Sequence, residues 1–113
     1  MRWRFYRAVR DALRRCTVVL QADPRVGGRP VDGAYYEASR TIVIRRSLLR
    51  DPERAVLVVL HEAVHASGLD GRREYMTNEL LDREAFRSWA CRWEAARRLL
   101  EAAARGVSEA DDA

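Results

Sequence analysis

The sequence predicts an α+β domain in which a small three-stranded sheet, mixed or antiparallel, packs on a central helix. Three observations lead to this fold: apolar residues at helical spacing near both ends, short β-branched runs in the first half, and an apolar segment in the middle. A chain of 113 residues suits one domain. We expect residues 1–108 to form it and the acidic tail, 109–113, to be disordered.

The sequence of the first half of the chain predicts one helix followed by three strands. Residues 3–16 have arginines on one side and apolar residues on the other, which predicts an amphipathic helix. The β-branched run at 17–22 predicts a buried strand, and the Gly- and Pro-containing stretch 23–33 a surface loop. Residues 34–38 and 41–45 then predict two strands around a short turn. The apolar side of the helix consists of Phe5, Val9, Ala12, Leu13 and Cys16.

The sequence of the second half predicts a buried helix followed by one long helix, or by two helices with a kink between them. Asp51, Pro52 and Gly68 are typical of an N-cap, a first helical position and a C-cap. Residues 55–60 are apolar on every side, which indicates a helix buried all round. From about 75 to 105 an apolar stripe continues at helical spacing. It consists of Leu81, Ala85, Trp89, Trp93, Ala96, Leu100 and Ala103.

Composition excludes several classes of protein. No apolar run approaches the roughly 20 residues of a membrane span, and arginines interrupt the N-terminus before a signal-peptide core can form. We therefore expect a cytoplasmic protein without a membrane partner. Cys16 and Cys91 are too few for a disulfide framework or a Cys-rich zinc site, so we expect them in the core.

The charge of the chain is a weak guide to its partners. All 21 basic residues are Arg, as expected from codon bias in a GC-rich genome, and the net charge is +4. Arg7, Arg10 and Arg14 share a helical face that could bind nucleic acid. No nucleic-acid motif accompanies them, so a solvated face is favoured and nucleic-acid binding remains an alternative function.

The two histidines of the chain, His61 and His65, stand four residues apart with Glu62 after the first. On a helix this spacing returns the imidazoles to within about 40° of each other. Both can then bind one ion, and Glu62 can reach a water that the ion holds, as in the His-Glu-x-x-His zinc motif. The alternative is a buried helix whose histidines hydrogen-bond within the core.

The third metal ligand is less clear from the sequence. A catalytic zinc ion takes three protein ligands and one water, and the chain has no third histidine. Glu84 lies at the edge of the apolar stripe, where a bare carboxylate would be expensive unless it is paired or bound to metal. A solvated or Arg-paired Glu84 remains possible. The carboxylates that could complete the site are Glu74, Glu79, Asp82 and Glu84.

His61-Glu62-x-x-His65 followed, after 18 residues, by Glu84 resembles the gluzincin metallopeptidases, and the short chain resembles their minimal members, the minigluzincins. It is similar also to metallopeptidases of the ImmA/IrrE type, over about residues 33–95. The resemblance implies a zinc peptidase with one Zn²⁺ per chain, bound by His61, His65 and Glu84, with Glu62 as general base and acid. Glu79 is the alternative, because Asn78-Glu79 resembles the start of another gluzincin variant.

The resemblance has further implications and some departures. A peptide or protein substrate would lie extended beside an edge strand within residues 34–45, and Tyr75 or an arginine would stabilise the oxyanion. Minigluzincins also suggest a latent form, with Glu109, Asp111 or Asp112 at the open zinc position. The chain shows no appended DNA-binding domain of the ImmA/IrrE type, which argues against cleavage of a repressor. It also lacks the second subdomain of larger gluzincins.

Overall fold

In the part of the chain that the structure describes, four helices and a three-stranded mixed sheet form the fold, as the sequence predicts. The computed structural model of the protein describes residues 2–72 and 78–106. In chain order the elements are α1 (Arg2–Arg15), β1 (Thr17–Gln21), β2 (Arg25–Val26), β3 (Arg29–Pro30), β4 (Gly33–Tyr36), β5 (Thr41–Arg45), α2 (Pro52–Ser67), α3 (Asn78–Arg87) and α4 (Trp89–Arg105). Short 3₁₀ turns, Arg46–Arg50 and Asp70–Arg72, flank α2.

The sheet has the order β1-β5-β4, with β1 parallel and β4 antiparallel to β5. Val43 on the central strand pairs with Val19 on one side and with Ala34 on the other. Central β5 is the most buried strand, as expected for a strand that is covered by neighbours on both edges. The predicted surface loop contains a small ribbon, β2 with β3, that the sequence prediction missed. Gly27 and Gly28, both at positive φ, form its turn.

Helix α2 begins and ends where the sequence predicts. Asp51 Oδ1 accepts a hydrogen bond from the Arg54 backbone at 3.3 Å, and Gly68 closes the helix at φ +75°. The prediction of burial all round is wrong at Leu57, which is 39% exposed. The reason is that this side of α2 borders an open groove toward α3, lined in part by Phe86.

Among the described residues after α2, two α-helices, not one, follow the His-Glu-x-x-His motif, and the break between them changes which residues face the core. Ser88 caps the new helix by accepting a hydrogen bond from the Cys91 backbone at 3.2 Å. The apolar stripe of the sequence is buried at Leu81 and Ala85, but its later members are largely exposed. The core face of α4 instead consists of Cys91, Ala95, Leu99 and Ala102.

One hydrophobic core is shared by α1, the sheet, α2, α3 and α4. Both cysteines lie in it as buried free thiols, as predicted. The buried carboxylate of Glu94 on α4 accepts a hydrogen bond from Arg14 on α1 at 2.8 Å and thereby links the chain's two outer helices. Within the two described ranges, none of the helices has the length and apolar character needed to cross a membrane. The acidic tail lies outside the described residues.

Candidate metal centre

The imidazoles of His61 and His65 converge on one point beside α2. Their Nε2 atoms lie 3.1 Å apart, and their ring planes are at 84°. Two nitrogens that bind one tetrahedral zinc ion at 2.0–2.1 Å are separated by about 3.3 Å. The spacing of the two Nε2 atoms therefore fits a shared metal ion.

The outer nitrogen of each histidine contacts a carboxylate. His61 Nδ1 lies 2.8 Å from Asp82 Oδ2 on α3, and His65 Nδ1 lies 2.5 Å from Asp70 Oδ2 in the turn after α2. An ionised carboxylate only accepts, so each Nδ1 carries the hydrogen and donates it. This is the carboxylate–histidine arrangement that orients imidazoles in metal sites.

With both Nδ1 atoms protonated, a neutral imidazole presents a lone pair at Nε2. Two such lone pairs would face each other across 3.1 Å and repel, unless a cation lies between them. That cation is either a proton or a metal ion. The hydrogen bond to Asp82 raises the pKa of His61 above its ordinary value, opposed by burial and assisted by the charges of Asp82, Glu62 and Asp70. The surroundings of His61 therefore favour positive charge.

Glu62 completes the cluster. One ligand atom each from His61, Glu62 and His65 lie within 4.8 Å of one another, so this group could hold a metal ion. The Glu62 side chain is buried, and burial raises the pKa of its carboxyl, although the two neighbouring histidines act in the opposite direction. A buried carboxyl with a raised pKa is suited to taking up and returning a proton.

The structure does not place Glu84 in this cluster. Glu84 Oε1 accepts a hydrogen bond from the Tyr6 hydroxyl at 2.5 Å, and Arg87 lies 3.6 Å from the same carboxylate. Glu79 is exposed and forms an ion pair with Arg83 at 2.6 Å. Of the predicted third ligands that the structure describes, Asp82 is the one beside a histidine. Outside the described residues lie Glu74, Tyr75, Glu109, Asp111 and Asp112.

One of the two carboxylate oxygens of Asp82 contacts His61, and the other does not. Its Oδ2 contacts His61, whereas its buried Oδ1 has no hydrogen-bond partner among the described residues. A buried carboxylate oxygen without a partner is costly and calls for water or an ion. Asp82 therefore orients His61 from the Nδ1 side of the ring, away from the point that the two Nε2 atoms share, and its second oxygen is suited to binding a water.

Sequence reasoning missed the roles of Asp70 and Asp82 as partners of the histidines. Asp70 follows His65 by five residues, and only the left-handed turn at Gly68 brings it back to the end of α2. The glycine C-cap was a local signal for that reversal. Asp82 had no such signal, because its position depends on how α3 packs against α2.

Two of the three arginines on the predicted nucleic-acid face contact acidic side chains. Arg14 is paired with Glu94 at 2.8 Å, and Arg10 lies 3.9 Å from Asp11. Arg7 lies over the ring of Trp3, with its guanidinium carbon 5.9 Å from the ring centroid. These contacts suit a solvated amphipathic face.

Comparison of the chain with protein-family models, with curated proteins and with solved structures finds no match. The resemblance to gluzincins therefore rests on the spacing of His61, Glu62, His65 and Glu84 in the sequence.

Proposed function

We propose that the protein is a zinc-dependent peptidase with His61 and His65 as metal ligands and Glu62 as the general base. The observation that carries the proposal is the pair of Nε2 atoms 3.1 Å apart, each on an imidazole whose Nδ1 is held by an aspartate. A histidine pair that only stabilised the fold would not need both lone pairs aimed at one point.

Zn²⁺ at this point would supply a water that ionises near neutral pH and a positive charge that polarises a peptide carbonyl. Glu62 would accept the proton of that water as the water oxygen bonds to the carbonyl carbon. It would return the proton to the departing amine when the C–N bond breaks. Asp70 and Asp82 keep the two imidazoles in place throughout.

The edge strand β4 supports an extended peptide as the substrate. It pairs with β5 on one side, and it is an end strand of the sheet order β1-β5-β4. It also packs on the motif helix, because Gly33 comes close to Val58 of α2. A peptide that pairs with the free edge of β4 would gain main-chain hydrogen bonds next to the site.

A second candidate is a protein that binds zinc without hydrolysing peptides. It is favoured by the composition of the cluster, because in the described parts of the chain no third histidine or carboxylate besides Glu62 joins the two histidines. If Glu62 itself bound the metal, the site would have no free general base. The latent form that the sequence suggested belongs to this candidate.

Metal analysis and one substitution test the proposal. Protein prepared without added zinc should contain about one zinc per chain. Glu62→Gln should retain the metal and lose peptide hydrolysis by at least about a hundredfold, since the general base is removed. Glu53→Gln, an exposed position in the first turn of the same helix, is the matched control and should leave both unchanged.

Each outcome has a distinct meaning. Metal-free protein would refute the site itself. Loss of zinc in Glu62→Gln would make Glu62 a ligand and support the non-catalytic candidate. Crystal diffraction at the zinc absorption edge would then identify the third ligand, for which Glu84 is the sequence prediction and Glu79 the alternative.

A further inference from the structure

All three tryptophans of the chain lie on the surface. Trp3, Trp89 and Trp93 are 59%, 69% and 57% exposed. The rings of Trp89 and Trp93 are parallel, with centroids 5.9 Å apart, one turn from each other on α4. Large aromatic side chains are enriched in protein interfaces, and the stacked pair already has a fixed arrangement.

The two α4 tryptophans begin an apolar stripe that the core does not cover. Its members follow one another at spacings of four and three residues, which is the pattern of a helix seam that packs against another helix. Leu100 in this stripe is 70% exposed. The stripe consists of Trp89, Trp93, Ala96, Leu100 and Ala103.

The bulkiest side chains of the stripe lie at one end. Its first half carries the two indoles beside a depression of about 410 Å³, and its second half carries Leu100 and alanines beside a depression of about 260 Å³ between α4 and α2. That depression is lined by apolar residues, among them Leu49, Pro52 and Val56. A helix with the same stripe, running in the opposite direction, would place its indoles over this depression.

We propose that the α4 stripe binds the same stripe of a second copy of this chain, with the two α4 helices antiparallel. In this arrangement Trp93 of one copy lies opposite Leu100 of the other, and Ala96 lies near the twofold axis. The interface is isologous, so the indoles of each copy cover the depression beside the alanines of its partner. The acidic residues 107–113, with Val107 as their one large apolar residue, are a poor chemical match for this surface.

The exposed area is sufficient for a dimer. If a fully exposed indole presents roughly 150–250 Å², the open parts of Trp89, Trp93 and Leu100 amount to on the order of 400 Å². This exposed area is similar to that of the largest apolar patch on a typical monomer, and such patches are often functional. Pairing two copies would cover twice that area, and the groove residues would bring the interface to the ~1,000 Å² of a specific contact.

Sedimentation velocity of the full chain, over about 1–100 μM, tests the association. We expect a species of twice the 13.0 kDa chain mass at the upper concentrations. Trp93→Glu should weaken the dimer by about tenfold or more. Trp3→Glu is the matched control, since Trp3 has nearly the same exposure on α1, and it should leave the dimer unchanged. Circular dichroism should show both variants folded.

Disulfide trapping tests the orientation. Ala96→Cys should form a covalent dimer on mild oxidation, because the two copies of this position meet near the twofold axis. Ala103→Cys should not, because antiparallel helices with a rise of 1.5 Å per residue separate its two copies by about 20 Å. Ala90→Cys, on another side of α4, is a second negative control.

A monomer at every concentration would overturn the proposal, including a monomer whose tryptophans are covered by the chain's own tail. Equal weakening by Trp3→Glu and Trp93→Glu would assign the association to another surface. Trapping at Ala103→Cys but not at Ala96→Cys would overturn the antiparallel arrangement.

Discussion

The carboxylates of Asp70 and Asp82 determine which nitrogens of the two histidines face each other. Because each Nδ1 donates to an aspartate, neither ring can turn over without losing that hydrogen bond, and both Nε2 atoms remain aimed at one point. The orientation of the two imidazoles is thus set by residues outside the His-Glu-x-x-His motif. The motif itself supplies the spacing along α2.

This dependence predicts the effect of removing either carboxylate. Asp82→Ala and Asp70→Ala should each lower the affinity for zinc by about 10–100-fold, because the imidazole they orient is released and becomes less basic. Asp82→Asn should have a smaller effect if Asp82 only orients His61, since the amide oxygen still accepts a hydrogen bond. Competition with a chromophoric chelator measures these affinities.

Glu79→Ala is the matched control, because Glu79 lies one turn before Asp82 on α3 and is exposed to solvent. Zinc affinities of Asp70→Ala and Asp82→Ala that equal the value for Glu79→Ala would show that neither aspartate positions a ligand.

At the level of secondary-structure elements, the local sequence was sufficient to predict a helix end where a capping residue determines that end. Asp51, Pro52 and Gly68 fix both ends of α2, and the structure confirms them. The sequence left one helix or two open, and it did not give the position of the break at Ser88, because apolar residues keep helical spacing on both sides of it. Which stripe of α4 is buried depends on packing against α1 and α2, and the sequence near Ser88 does not contain that information.

The contact between β4 and α2 makes a testable prediction about Gly33. A Cβ at this position would lie 2.6 Å from Val58 Cγ1 and 3.3 Å from the Val43 backbone oxygen. Val58 is β-branched and cannot turn away freely. Gly33→Ala should therefore push β4 off the helix and lower the free energy of unfolding by about 1–3 kcal/mol, as measured by urea titration.

Gly71→Ala serves as the control for Gly33→Ala. Among the described residues, no atom lies within 4 Å of a Cβ built on Gly71, and the φ of Gly71 lies outside the left-handed region. Its stability should change by less than about 0.5 kcal/mol. Equal stabilities of the two variants would show that β4 does not pack closely on α2.

At the level of the whole molecule, the candidate site joins parts of the chain that are distant in sequence. The motif and its two histidines were predicted from a stretch of five residues. The contacts of the third-ligand candidates could not be predicted from the sequence. Tyr6, for example, donates a hydrogen bond to Glu84 but precedes Glu84 by 78 residues. Such contacts arise only when α1, α2 and α3 share one core, and hydrophobic spacing does not specify their mutual rotation.

Zinc should stabilise the whole fold, and the effect should grow with pH. Without metal, the raised pKa of His61 contributes stability that is full below its unfolded pKa and is lost as pH rises through the folded value. With zinc bound, the pH dependence of the stability is reversed and stability increases with pH, because zinc binds the neutral imidazole. Free zinc at 100 times its dissociation constant should add about 2.7 kcal/mol.

Calorimetry with and without zinc measures this difference in Tm. We expect the difference to increase from about pH 6 to about pH 8. It should vanish in His61→Ala, which lacks one ligand. A zinc-induced rise in Tm that decreased with pH would mean that protonated imidazoles are compatible with metal binding, and hence that the histidines are not the ligands.

The exposure of Trp3, Trp89 and Trp93 also determines what the protein's own fluorescence can report. Indoles that already meet water in the folded chain change their surroundings little when the core opens, so their emission should follow unfolding poorly. Two of the three lie side by side on α4. The intrinsic emission of this protein is therefore a local signal from one helix surface, sensitive to whatever covers it, and a weak measure of the integrity of the fold.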